Sequence, residues 1–134
     1  MTTPSPTAAS GCPLLGIDVV HLPTLKAMLD GPGSQAFLNE AWRPTEQADC
    51  GGRISSLAKT WAAKEATMKA LGVGVSDVQL LDIEVVRAAG RPPRVHLHGA
   101  AAVRAAELGN PPLTLSMSQD ADTAIAAVLG YVQP

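Results

Sequence analysis

The run 61-WAAKEATMKALG-72 decides how the chain is read. Ala, Leu, Met, Lys and Glu are strong helix formers, and no Gly or Pro interrupts them before Gly72. Followed upstream, the pattern predicts a long helix from Ile54 to Leu71, stopped by Gly72-Val73-Gly74. At about 100° per residue, Leu57, Trp61 and Met68 share one narrow stripe, with Ile54 beside them. Glu65 falls in the same stripe, and a charge withdrawn from water needs a partner or a task. Three readings are open: an i, i+4 ion pair with Lys69, a catalytic base, or a ligand for a hard cation. Taken alone, the helix favours the ion pair as the plainest of the three.

Upstream of the helix, 14-LLGIDVV-20 is short, apolar and β-branched towards its end, and predicts a first strand. Alternation puts Asp18 on the face opposite Leu15, Ile17 and Val19, where an acid is ordinarily solvated. Leu22, Leu25 and Leu29 predict a helix ended by Gly31-Pro32-Gly33. Residues 34–41 suit a second helix, and Pro44 with Glu46 in the first turn heads a third. Beyond the long helix the period changes to two. Residues 82–88 and 94–98 predict strands joined by a Gly- and Pro-rich turn, then GAAAVRAAEL a short helix. Residues 113–118 and 123–132 predict a hairpin. The order describes an α+β single domain, a mainly antiparallel sheet packed on a long helix. Residues 1–12, with their Pro, Ser and Thr, predict a flexible extension ahead of a domain over 13–134.

Composition bounds the function. Hydrophobic residues make up 46% of the 134 and charged residues 16%, enough apolar material for a real core. Only Phe37, Trp42, Trp61 and Tyr131 are aromatic, so Ala, Val, Leu and Ile must build it. A net charge of -2 argues against binding nucleic acid through bulk positive charge. Even so, Lys59, Lys64 and Lys69 cluster around the opening run. Cys12 and Cys50 have no CxxC spacing and read as the reduced thiols of a cytoplasmic protein. The first residues lack the pattern of a signal peptide, and the apolar run 123–132 is too short to span a bilayer.

Two acids in different elements, Asp18 and Glu65, could converge, and one or two carboxylates with substrate phosphates is how Mg²⁺ is commonly held. Lysines on the same helix would suit those phosphates. His96 and His98 share a strand face but show no third ligand at useful spacing, and read as surface. Ser116 and Ser118 have no evident base, and Gly72-Val73-Gly74 follows a helix where phosphate loops precede one.

Three stretches, GID at 16–18, WAAKEATMKALGVGV at 61–75 and LSMS followed by Asp120, resemble the holo-[acyl-carrier-protein] synthase family of 4′-phosphopantetheinyl transferases in order and spacing, over about residues 14–132. The resemblance implies an enzyme that moves the phosphopantetheine arm of coenzyme A, its co-substrate, to a serine of an apo acyl carrier protein, releasing adenosine 3′,5′-bisphosphate. It implies Mg²⁺ on Asp18 and Glu65, with Lys64 and Lys69 on phosphate or leaving group, and Glu65 or a metal-bound water taking the serine proton. It implies a coenzyme A site lined by Gly72, Gly74, Gly90, Pro92, Ser118 and Gln119. It also implies a homotrimer with sites between subunits, serving fatty-acid or polyketide carriers. The chain departs from the family pattern in three places. His21 and Thr24 stand where an acid and an Arg are usual, Lys59-Thr60 where an Arg is usual, and Gln119 where the last motif has His. Gln can hydrogen-bond but cannot carry a proton or a positive charge. The alternative is a catalytically weakened module that binds carrier protein or coenzyme A within an assembly.

Overall fold

The computed structural model describes residues 11–134, and the expected extension lies mostly outside them. Strand β1 (Cys12–His21) is followed by helices α1 (Leu22–Asp30), α2 (Ser34–Ala41), α3 (Pro44–Cys50) and the long α4 (Ile54–Leu71). A 3-10 turn, Leu80–Asp82, leads to β2 (Ile83–Val86) and β3 (Arg94–Leu97). Then come α5 (Gly99–Glu107), β4 (Leu113–Asp120) and β5 (Thr123–Val132). The strands form two antiparallel sheets, β1-β5-β4 and the small hairpin β2-β3. This is the expected α+β domain, with the first strand and the closing hairpin joined into one sheet.

Helix α4 ends where local sequence says it must. Gly72 takes φ 70°, its N–H reaches the Lys69 carbonyl at 3.1 Å, and the Val73 N–H reaches that of Met68 at 3.0 Å. These two bonds satisfy carbonyls the helix leaves over, and glycine reaches the left-handed turn without steric cost.

The single apolar stripe understates α4, because 11 of its 18 residues are buried. Ala62, Ala63, Ala66 and Ala70 pack with Val85, Leu115, Ala126 and Val128 of the strands, while Leu57 and Ala58 meet Trp42 and Leu25. Alanine makes this double burial possible, since its small side chain lets the sheet come close. At Gly16 the approach is closest: a Cβ there would overlap the Ala66 carbonyl oxygen. Thr60 and Thr67, also buried, return their hydroxyls to the carbonyls of Ser56 and Ala63 and leave nothing unsatisfied. Phe37, Trp42 and Trp61 close one end of the core, with ring centroids 5.2 to 5.5 Å apart.

The sheet has two unlike faces. Gly16, Asp18 and Val20 of β1 and Ala124, Ala126 and Val128 of β5 turn towards α4. Leu15, Ile17, Val19, Ile125, Leu129 and Tyr131 lie exposed on the other side. Among the described residues no helix is long and apolar enough to cross a membrane.

Candidate active site

The charged pair in the middle of α4 is pulled apart by the fold. Lys64 is fully buried, and its ammonium sits 2.6 Å from Glu46 Oε1 while donating to the carbonyls of Ile83 at 2.6 Å and Leu80 at 3.0 Å. Glu46 is equally buried; its Oε1 also accepts the Arg43 N–H and its Oε2 the Val85 N–H, both at 2.8 Å. Every proton of the ammonium is used. Burial lowers the proton affinity of Lys64 below that of an ordinary lysine, and the Glu46 charge and hydrogen bond hold it back up. Lys64 therefore does not reach a phosphate, against the role the motif implied. It fastens α4 to α3 and to the start of β2.

Glu65, one residue on, points the other way and is half-buried. Its carboxyl is pushed above the ordinary range, first by burial and then by the charge of Asp18, against the pull of Lys69. The expected Glu65–Lys69 ion pair is not what forms. Lys69 reaches across to β1 instead, 3.1 Å from Asp18 Oδ1 and 3.0 Å from the Ile17 carbonyl. The reason lies in the strand: Asp18 faces the helix, and its side chain is only 18% exposed. Two carboxylates from different elements thus share one small site with a single lysine that is itself 56% exposed.

The site opens into a cleft of about 380 Å³ lined by Asp18, Glu65, Trp61, His21, Thr24 and Met28. His21 and Thr24, the two departures from the family pattern, hydrogen-bond each other at 2.8 Å. Two hard oxygen donors with uncompensated negative charge suit Mg²⁺, which takes one or two carboxylates and fills its remaining positions with water and phosphate.

The remaining residues implied by the motifs do not converge on this cleft. Gly72 lines a second one of about 530 Å³ with Asp77, Val103 and Arg104, and Gly74 donates its N–H to Asp77 Oδ2 at 3.2 Å. Pro92 lines a third of about 490 Å³ with Lys59, Arg87 and Arg91; Gly90 is exposed in the turn above, at φ 72°. That basic lining was not evident from sequence, because Arg87 and Arg91 join Lys59 only once the β2–β3 hairpin folds back. Lys59 and Glu65 are six residues apart on α4, hence about 9 Å along the axis and roughly 120° around it. Ser118 lies on the outer face of the sheet, beside Ile125, away from Asp18. Gln119 is exposed and spends its amide on the Ala121 carbonyl at 2.8 Å, clasping the β4–β5 turn where Ala121 takes φ 48°.

The profile of the 4′-phosphopantetheinyl transferase superfamily matches residues 14–126. The chain is 41% identical over 118 residues to the holo-[acyl-carrier-protein] synthase of Gloeobacter violaceus, covering 85% of this chain and 89% of that one. Its fold superposes on the Chronobacterium ammoniagenes ACPS–CoA complex with a TM-score of 0.82 at 30% identity, covering 92% and 99% of the two chains. It also superposes on the Helicobacter pylori holo-[acyl-carrier-protein] synthase in complex with coenzyme A, with a TM-score of 0.77 at 30% identity over 87% and 99%.

Proposed function

The chain belongs to the 4′-phosphopantetheinyl transferase superfamily, and from that premise we propose how its own residues perform the transfer. It is a holo-[acyl-carrier-protein] synthase, an enzyme that moves the phosphopantetheine of coenzyme A to a serine of an apo acyl carrier protein. The observation that carries the site is the meeting of Asp18 and Glu65 beside Lys69.

The reaction is attack by a serine hydroxyl on the β-phosphorus of a pyrophosphate, so negative charge must be neutralised and the nucleophile lined up. Asp18 and Glu65 would hold Mg²⁺, which would supply charge neutralisation at the pyrophosphate. Lys69, exposed and held on β1 by Asp18 and the Ile17 carbonyl, turns from them to phosphate when substrate enters. The proton the serine gives up goes to Glu65 or to a metal-bound water beside it. Trp61 walls the cleft and limits water around these charges.

The basic cleft of Lys59, Arg87 and Arg91 takes a phosphate of coenzyme A, with Gly90 and Pro92 shaping the turn beside it, and the Gly72–Gly74 turn offers backbone to the same ligand. The Lys59 cleft lies about 120° around α4 from Glu65, and the exposed apolar face of β1 and β5 needs a cover. A homotrimer that buries this face and completes each site from a neighbour meets both requirements, and Ser118, on that face, then serves the neighbouring site. We assign the enzyme to the cytoplasm, with a fatty-acid or polyketide carrier as partner.

Incubating the protein with apo carriers, coenzyme A and Mg²⁺, and weighing the carrier by mass spectrometry, tests the activity. Gain of one phosphopantetheine is expected; none across several apo carriers refutes it. A weakened binding module would bind coenzyme A and leave every carrier unmodified.

A further inference from the structure

We propose a second metal site, for a zinc-class divalent transition ion, formed by Glu84 of β2, His96 of β3 and His98 at the head of α5. Register brings the residues together. Glu84 pairs directly with His96 across the β2–β3 ladder, and His98 follows two residues on, so all three project from one side of the hairpin. One ligand atom from each lies within 4.8 Å of the others. Around an ion bound at zinc–nitrogen lengths, tetrahedral ligand atoms stand about 3.3 Å apart, so closing the site shortens these separations by about 1.5 Å at most.

Existing contacts already hold the three side chains together, and an ion would replace the hydrogen bond between two of them. His98 Nε2 is 2.8 Å from Glu84 Oε1, and the two imidazoles stack with centroids 4.6 Å apart. Thr45 Oγ1 donates to Glu84 Oε2 at 2.9 Å, which orients the carboxylate from α3 in the way an outer hydrogen bond orients a metal ligand. Two imidazoles and one carboxylate leave a fourth position to solvent, and His96 is exposed on that side. Imidazole selects zinc, nickel, copper or cobalt over magnesium, so the site does not compete with Asp18 and Glu65 for Mg²⁺. An ion here would tie β2 to β3 towards the open end of the hairpin, away from the turn that carries Arg91 and Pro92.

The site stands independently of the transferase reading. Titration of the full chain with Zn²⁺, in excess Mg²⁺, is followed by calorimetry, with Co²⁺ absorption as a second reading. One Zn²⁺ per chain is expected. His96→Ala, at an exposed position, should weaken it at least about tenfold without loss of circular dichroism, and Glu84→Gln likewise; Thr45→Ala should weaken it by about tenfold. Glu65→Gln and His21→Ala should leave it unchanged. No Zn²⁺ binding at concentrations of about 100 μM, or wild-type affinity in both His96→Ala and Glu84→Gln, overturns the site.

Discussion

Lys64→Met is the substitution that separates the two roles this lysine could have. Methionine keeps the volume of the stem and removes the ammonium, whose three bonds run to Glu46, Leu80 and Ile83. Glu46 is then a buried carboxylate with two backbone donors and no counter-charge. Breaking one side of a buried ion pair costs about 3–5 kcal/mol, within which the two orphaned carbonyls account for roughly 1 kcal/mol each. Against a total of about 5–15 kcal/mol that is a large loss. For a domain of this size it lowers Tm by roughly 10–20 °C. Urea unfolding at fixed protein concentration measures it, since assembly would make stability depend on concentration. Glu46→Gln removes the charge and keeps an acceptor, so the double variant should recover roughly 1–3 kcal/mol relative to the sum of the singles. Transfer per folded molecule should stay near wild type. A Lys64→Met protein with unchanged stability and transfer reduced by about a hundredfold or more would refute the reasoning and return Lys64 to the substrate.

The carboxyl site has a signature in pH. The Glu65 carboxyl is raised above 4.5, so between that value and its folded one the folded chain binds more protons than the unfolded chain. Stability from this group is full below pH 4.5 and is lost as pH rises through the folded value; without metal, Glu65→Gln should flatten that fall, while abolishing transfer, and a steeper fall would contradict it. Millimolar Mg²⁺ should raise Tm at pH 7–8 in the wild type and not in Glu65→Gln. Gly16→Ala should cost at least about 3 kcal/mol in urea because its Cβ meets backbone of α4, whereas Gly74→Ala, with open space around it, should unfold like wild type. Leu129→Glu puts a charge on the exposed sheet face; light scattering should show a monomer that has lost transfer, and an active monomer would dismiss the shared site.

The elements were legible because what sets them is local. The stop of α4 at Gly72 depends on residues within one turn, and the Ala, Leu and Met content before it is a helix preference any context would honour. Strand alternation set Asp18 opposite Leu15, Ile17 and Val19 and so pointed it to solvent; the fold reverses the two faces, exposing those three and turning Asp18 to α4, and its meeting with Glu65 was a possibility that two separate elements had to realise. The Gly–Ala contact that brings β1 onto α4 explains why they do: close packing at Gly16 and Ala66 sets the carboxylates side by side.

The sequence by itself determined the order of elements, the long helix and the residue types able to hold phosphate and metal, since propensity, capping and periodicity act over a few residues. Which of those residues became a site was decided by tertiary structure. Lys64 and Glu65 are neighbours in sequence, yet 100° of helix rotation sends one to a buried Glu46 eighteen residues upstream and the other to Asp18 at the cleft. Glu84 joined His96 and His98 for the same reason, because strand register is set by packing between segments that share no local signal.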